Sequence, residues 1–146
     1  MVEQMASDEL LLRFTGDPMW ADNCEDIAFN TYPAAVMPDF KSLRYFTCPN
    51  MVTTDARNHN PGINNHGQFL IMNPFSHRCC QHNHAQGWPY YAENMWLATP
   101  DNGLAATLYS AGTVTARVGN GTEVSITEVT NYPFEEKIRL TVHTPD

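Results

Sequence analysis

The densest group of chemically competent side chains lies at positions 77–84, where His77, Cys79, Cys80, His82 and His84 fall within eight residues. Thiolates and imidazoles are ligands that zinc prefers, but structural zinc sites usually separate their cysteines by two to four residues. Adjacent cysteines can share an ion only where the backbone bends, and a disulfide between them would be strained. The pattern therefore predicts either a pair of metal-binding or reactive thiols, or two small buried cysteines beside ordinary loop histidines.

Two helices are predicted ahead of this group. Over 2–14, apolar residues recur at spacings of three and four, which indicates a helix that ends at Gly16. Asp17 and Pro18 can begin a second helix, which continues to Pro33 and carries Cys24 as a packing residue. The first helix is predicted to bury Val2, Met5, Ala6, Leu10 and Phe14. The two helices form an antiparallel pair.

The next segment, 37–78, is predicted to be a long irregular loop, and loops of this length are usually functional. Two short apolar runs inside it, 43–47 and 68–72, can pair as a hairpin. Helical spacing returns over 84–98, which predicts a helix that buries Tyr91 and Trp96. The positions of Trp88 and Tyr90 are open between core packing and stacking on a sugar ring.

The C-terminal third is predicted to be β structure. Alternating β-branched residues indicate four antiparallel strands in series, at 104–110, 113–118, 123–130 and 137–144. Asn120-Gly121 is the strongest hairpin-turn signal. Strands with no helix after them indicate the beginning of a β-sandwich.

Composition limits the class of protein. With 42% hydrophobic and 16% charged residues the chain is too apolar to be disordered, and its formal charge of −8 disfavours nucleic acid or an anionic membrane surface as partner. A run of about 18 apolar residues, as a membrane span requires, is absent from the sequence. The residues after Met1 do not follow a signal-peptide pattern, and cytoplasmic, periplasmic and secreted locations all remain open for the parent protein.

The cysteine pair also carries a family resemblance. Residues 79–83, continued by 86–91 and 93–94, are similar to glycoside hydrolase family 127, the β-L-arabinofuranosidase-like family. Residues 109–114 and 128–134 resemble the passage from the catalytic barrel of that family into its middle β-sandwich. The similarity covers nearly the whole chain, including the opening helix pair.

The resemblance implies a mixed fold with segregated α and β parts. Residues 1–100 would be the C-terminal part of an (α/α)6 barrel, and residues 101–146 the first strands of a β-sandwich, both incomplete. It also implies a retaining glycosidase in which Cys79 is the nucleophile, Cys79 and Cys80 bind Zn²⁺, and a glutamate is the acid/base. The expected substrates are oligosaccharides or polysaccharides with β-L-arabinofuranosyl or related furanosyl units.

The family pattern further requires an upstream Glu-x-Cys and an acid/base glutamate, and neither motif is present in this sequence. We therefore expect a fragment that depends on the remaining domains of a parent chain and is inactive alone. Two alternatives stay open: a non-catalytic zinc module that uses His77, Cys79, Cys80 and His82 or His84, and a carbohydrate-binding sandwich at 101–146. His82 and His84 can line a sugar cleft, hydrogen-bond a thiolate, or have no role.

Overall fold

The computed structural model describes residues 1–44, 70–71 and 78–145. The helical elements are α1 (Val2–Thr15), α2 (Met19–Asp26), a π-helical turn (Ile27–Thr31), α3 (Tyr32–Ala34), α4 (Arg78–Ala85) and α5 (Gly87–Glu93). The strands are β1 (Leu43–Arg44), β2 (Leu70–Ile71), β3 (Trp96–Ala98), β4 (Leu104–Ala106), β5 (Gly112–Val118), β6 (Thr122–Thr130) and β7 (Ile138–His143). Within these ranges, no helix is long and apolar enough to cross a membrane.

The predicted helix pair is confirmed, together with its turn. Gly16 ends α1 in the left-handed conformation, with φ of 68°, and its N–H donates to the Leu12 carbonyl oxygen at 2.8 Å. A carboxylate oxygen of Asp17 accepts a 2.9 Å hydrogen bond from the Met19 N–H, which satisfies a free donor at the start of α2. The turn chemistry visible in the sequence therefore positions the two helices.

The predicted buried face of α1 is wrong in its second half. Leu10 is 50% exposed and Phe14 is 83% exposed, whereas Glu9 and Leu12 are buried with Met5. The apolar pattern fails here because a carboxylate occupies the inward face, where it finds hydrogen-bond partners on other elements. The buried core of the helical region comprises Val2, Met5, Cys24, Ala28, Tyr32, Tyr91 and Leu108.

Antiparallel pairing is present at the described part of the predicted loop hairpin. Leu43 pairs with Ile71, and Arg44 pairs with Leu70. The rest of the predicted hairpin, and most of the predicted loop that contains it, lie at 45–69 and 72–77, outside the described residues.

The helix predicted over 84–98 is divided differently in the structure. Its first part falls in α4 and α5, and Tyr91 is buried as expected. Trp96, however, lies half-buried on β3, where it pairs with Ala106, so its placement on a helical core face is wrong. Asn94 follows the last residue of α5, and its amide donates to Glu9 Oε2 and to the Tyr90 carbonyl oxygen, each at 2.8 Å. These bonds end the helix at a point that apolar spacing does not reveal.

The β region is antiparallel, as expected, but is divided into two sheets. β3 pairs with β4 in a hairpin, and β5, β6 and β7 form a separate three-stranded sheet. Strands are found at all four predicted positions: the first, shortened to Leu104–Ala106, pairs with β3, and the other three form the second sheet. The Asn120-Gly121 turn is confirmed, with Gly121 at φ 99° and its N–H donating to the Val118 carbonyl oxygen at 3.0 Å.

One carboxylate connects the helices to the three-stranded sheet. Glu25 Oε2 accepts a 2.6 Å hydrogen bond from the Tyr132 hydroxyl, and Oε1 accepts from the Tyr109 N–H at 3.1 Å and the Tyr91 hydroxyl at 3.2 Å. The hydrogen bond to Glu25, and to a smaller extent burial, raises the pKa of Tyr132 to about 12. The Phe29 ring packs edge-on against both Tyr91 and Tyr132. We call this group the Glu25 joint.

Candidate active site

The two adjacent cysteines lie on the first turn of α4. Their sulfur atoms are 3.9 Å apart, and both are free thiols. Cys79 is exposed and Cys80 is half-buried. Burial, assisted by the hydrogen bond to Cys79, raises the pKa of the Cys80 thiol. Cys79 is thus the more accessible of two thiols held at contact distance.

The separation of the sulfurs fits shared coordination of one zinc ion. Tetrahedral zinc with Zn–S bonds of about 2.3 Å places two sulfur ligands about 3.8 Å apart. The observed 3.9 Å matches this spacing without movement of the backbone. Within the described part of the chain, no group of three or more His, Cys, Asp or Glu side chains has metal-binding geometry. The described residues around the pair therefore offer no more than two of the four ligands that a tetrahedral zinc site requires.

Cys80 lines a cleft of about 200 Å³ beside the pair. Asn83 and His84 of α4 and Arg44 of β1 provide its polar lining. The Arg44 guanidinium donates to the Ala34 carbonyl oxygen and contacts the Met37 sulfur at 3.6 Å. Its buried Nε lacks a hydrogen-bond partner among the residues that the structure describes. Glu3 of α1 adds a carboxylate to this polar lining, and Met1, Val2, Ala35 and Leu43 complete the cleft.

The histidines around the pair differ in their contacts. His84 lines the cleft, and its ring stacks on Tyr32 with the ring centroids 4.3 Å apart. Its Nε2 donates to the Tyr32 carbonyl oxygen at 3.3 Å, since a carbonyl can only accept. His82 is exposed on α4, and His77 lies outside the described residues. His84 therefore lines a cleft, and its contact with a sugar stays a prediction.

Trp88, whose position the sequence left open, is part of an aromatic cluster although 45% of it is exposed. Its ring lies edge-on to Tyr32 at 5.3 Å and to Tyr91 at 5.8 Å. Tyr90, also left open, donates its hydroxyl to Gln86 Oε1 at 3.0 Å. Both side chains are thus engaged with neighbouring helical residues.

A second polar group, which the sequence interpretation missed, is buried among α1, α2 and the end of α5. Glu9 Oε1 accepts a 3.6 Å hydrogen bond from the Cys24 thiol, and Glu9 Oε2 accepts from the Asn94 amide. Burial raises the pKa of Glu9 to about 7, while the Cys24 hydrogen bond and the charge of Arg13 oppose that rise. Asp8 and Glu93 add like charge nearby.

Cys24 is fully buried, as predicted for a packing residue, and burial next to Glu9 raises its pKa. A spacing of four and then three residues places Glu9 between Met5 and Leu12 on one helical face, and this is the pattern that could have revealed it.

Comparison with known proteins decides the family. The family model described as "Beta-L-arabinofuranosidase, GH127 catalytic domain" matches residues 1–93. The chain belongs to glycoside hydrolase family 127. In this family 127 chain the matched region ends at the last residue of α5, so it includes α1 to α5 and both cysteines of the pair.

A solved structure titled "Glycoside hydrolase" supports the fold of the family 127 chain. It shares 20% sequence identity with the chain and superposes with a TM-score of 0.70 over 97% of the chain's residues. The chain spans 22% of the length of that structure. No curated protein matches the sequence.

Proposed function

We propose that this chain is part of a retaining glycosidase that hydrolyses β-L-arabinofuranosides or related plant-polysaccharide furanosides, with Cys79 as nucleophile. The observation that carries the proposal is the exposed thiol of Cys79, held 3.9 Å from a second thiol in the region that matches the family model. The partners in this proposal are an oligosaccharide or polysaccharide substrate and the remaining domains of the parent protein.

In the proposed site Cys79 and Cys80 bind zinc as thiolates. When bound, zinc supplies a positive field that keeps the thiols ionised at neutral pH. The 3.9 Å separation of the sulfurs is the support for assigning both cysteines to one ion. The other ligands are to be sought outside the described residues.

The proposed reaction is a double displacement. Cys79 Sγ attacks the anomeric carbon, an S–C bond forms, and the glycosidic C–O bond breaks as a carboxylic acid protonates the departing oxygen. The resulting carboxylate then removes a proton from water. The water oxygen attacks the anomeric carbon, the S–C bond breaks, and the sugar leaves with retained configuration. Among the described carboxylates, Glu3 alone lines the Cys80 cleft. We assign the acid/base to a glutamate of the parent protein outside this sequence, as the family resemblance implies.

The proposed architecture places α1 to α5 in an (α/α)6 barrel and β5 to β7 in a β-sandwich. The β5–β7 sheet has a mostly polar face and a mostly apolar face, as half of a sandwich does. The apolar face also carries the buried carboxylate of Glu128, between Gly112 and Leu140. On the apolar face, Val124 is buried while Val142 is 59% exposed. We keep residues 1–100 and 101–146 as the two proposed domain portions.

A non-catalytic zinc-binding module is the second candidate. It is favoured by the same pair of thiols, 3.9 Å apart. A third ligand is not grouped with them among the described residues, and His77 lies outside those residues. A carbohydrate-binding sandwich has less support. Its polar sheet face carries hydroxyl pairs, such as Thr113 with Thr127 and Thr115 with Ser125, instead of the aromatic rings that stack on sugars.

Two measurements test the proposal. Zinc content is determined for this chain without substitution, for Cys80→Ala, and for Cys24→Ala, which is a matched control because it leaves the cysteine pair intact. We expect loss of zinc in Cys80→Ala alone, whereas unchanged zinc would remove Cys80 from the site. Turnover of an aryl β-L-arabinofuranoside is then measured with the full-length parent protein, where Cys79→Ala is expected to abolish it. Zinc binding without turnover in that protein would favour the non-catalytic module.

A further inference from the structure

Tyr32 and His84 hold each other through three contacts, which we call the Tyr32–His84 clamp. The Tyr32 hydroxyl donates to the His84 carbonyl oxygen at 2.6 Å. In return His84 Nε2 donates to the Tyr32 carbonyl oxygen at 3.3 Å. The two rings stack with an interplanar angle of 20°. The clamp thus ties residues that are 52 positions apart in the sequence.

The local structure around Tyr32 is shaped to make this contact. The π-helical turn Ile27–Thr31 directly precedes Tyr32. Tyr32 is only 2% exposed. A Cβ atom on Gly87 would lie 2.5 Å from the Tyr32 ring, so the ring rests directly on the backbone of α5. Turns of this type are frequent at functional sites.

On α4 the clamp lies one turn away from the thiols. Cys80 and His84 are four residues apart and therefore share one face of the helix, and both line the 200 Å³ cleft. The last carbonyl groups of a helix lack partners within it, and the Tyr32 hydroxyl satisfies one of them. The clamp consequently attaches the last turn of α4 to Tyr32, one turn away from the thiols.

We propose that Tyr32 is a positioning residue for the cysteine pair, acting through His84 and α4. As far as it concerns catalysis, this inference rests on the proposed function, in which Cys79 is the nucleophile. Tyr32 does not itself line the cleft. Its effect is to hold Cys80 half-buried against the cleft while Cys79 stays exposed.

The test compares Tyr32→Phe with Tyr132→Phe. Each variant loses one hydroxyl that donates a 2.6 Å hydrogen bond, at the clamp in the first case and at the Glu25 joint in the second. After chelation of metal, the alkylation rates of Cys79 and Cys80 by iodoacetamide are followed by peptide mass spectrometry. We expect Tyr32→Phe to accelerate alkylation of Cys80 by about fivefold or more relative to Cys79. Tyr132→Phe is expected to lower the Tm and leave this ratio unchanged.

Gly87→Ala perturbs the same contact independently, because the added methyl group displaces the Tyr32 ring. It is expected to change the alkylation ratio in the same direction. In the full-length parent protein, Tyr32→Phe is expected to lower kcat about tenfold with KM within about twofold, since a nucleophile displaced by a fraction of an ångström loses alignment more than binding.

The inference is overturned if both Tyr32→Phe and Gly87→Ala retain the parent alkylation ratio, since Tyr32 would then only pack. If the full-length protein shows no glycosidase activity, the proposed function fails. The alkylation ratio then decides the clamp on its own.

Discussion

Replacing Glu9 by glutamine is expected to remove most of the pH dependence of the chain's stability near neutrality. Glu9 is 4% exposed, and its pKa in the folded chain is about 7, against an ordinary value of 4.5. Between these two values the folded chain holds a proton that the unfolded chain has released, so stability falls as the pH rises from about 4.5 to 7. At about 1.4 kcal/mol per pKa unit, the full loss is about 3 kcal/mol above pH 7.

Glutamine resembles the protonated acid in shape and hydrogen bonding. Its amide oxygen can accept from Asn94, which bonds Glu9 in the parent chain. The free energy of unfolding, measured by urea denaturation from pH 5 to 8, is therefore expected to depend much less on pH for Glu9→Gln. The slope that is left comes from Glu128, whose pKa burial also raises. At pH 8 the variant is expected to be about 2–3 kcal/mol more stable than the parent chain.

Glu123→Gln serves as the control, because the Glu123 side chain is 66% exposed. Its pH profile is expected to run parallel to that of the parent. Parallel profiles for Glu9→Gln and the parent would refute the reasoning, since the buried carboxylate would then not be the group that titrates.

Three further predictions test other parts of the fold. In the folded chain Cys24 is expected to resist iodoacetamide while Cys79 reacts within minutes, because Cys24 is fully buried and Cys79 is exposed. Peptide mass spectrometry distinguishes the two cysteines, and equal alkylation rates would contradict the described burial. Tyr132→Phe is expected to lower the free energy of unfolding by about 1.5–3 kcal/mol, the usual contribution of a hydrogen bond to a charged group. A loss below about 0.5 kcal/mol in urea denaturation would rule out a stabilising Glu25 joint. Gly16→Ala is expected to cost about 1 kcal/mol in the same assay because of the positive φ at Gly16, and a gain in stability would be inconsistent with that conformation.

Local signals in the sequence were sufficient for many elements of the fold. Gly16 and the Asn120-Gly121 pair mark their turns because each requires a backbone conformation that few other residues adopt. The spacing from Met5 and Leu12 could have placed Glu9 on the inward face of α1, but the hydrogen bond between Glu9 and Asn94 at the end of α5 escaped prediction. The two residues bond each other across 85 positions of sequence, and only the folded chain brings these partners together.

In the candidate site, too, the local features could be predicted from the sequence and the contacts between distant residues could not. Adjacent cysteines at the start of a helix could be identified from the sequence, and the structure places both thiols on the first turn of α4. The role of His84 could not, because its partner Tyr32 reaches it through a π-helical turn that apolar spacing does not indicate. Sequence patterns describe neighbours along the chain, whereas this contact depends on the packing of α3 against α4.

The central proposal, that Cys79 is the nucleophile, is tested most directly by identifying the atom to which the sugar becomes attached. The full-length parent protein is mixed with an aryl β-L-arabinofuranoside, quenched in acid during turnover, and digested for peptide mass spectrometry. The account predicts a mass gain of one pentosyl residue on the peptide at Cys79, absent in Cys79→Ala. A pentosyl group on a carboxylate, or full turnover by Cys79→Ala, would contradict it.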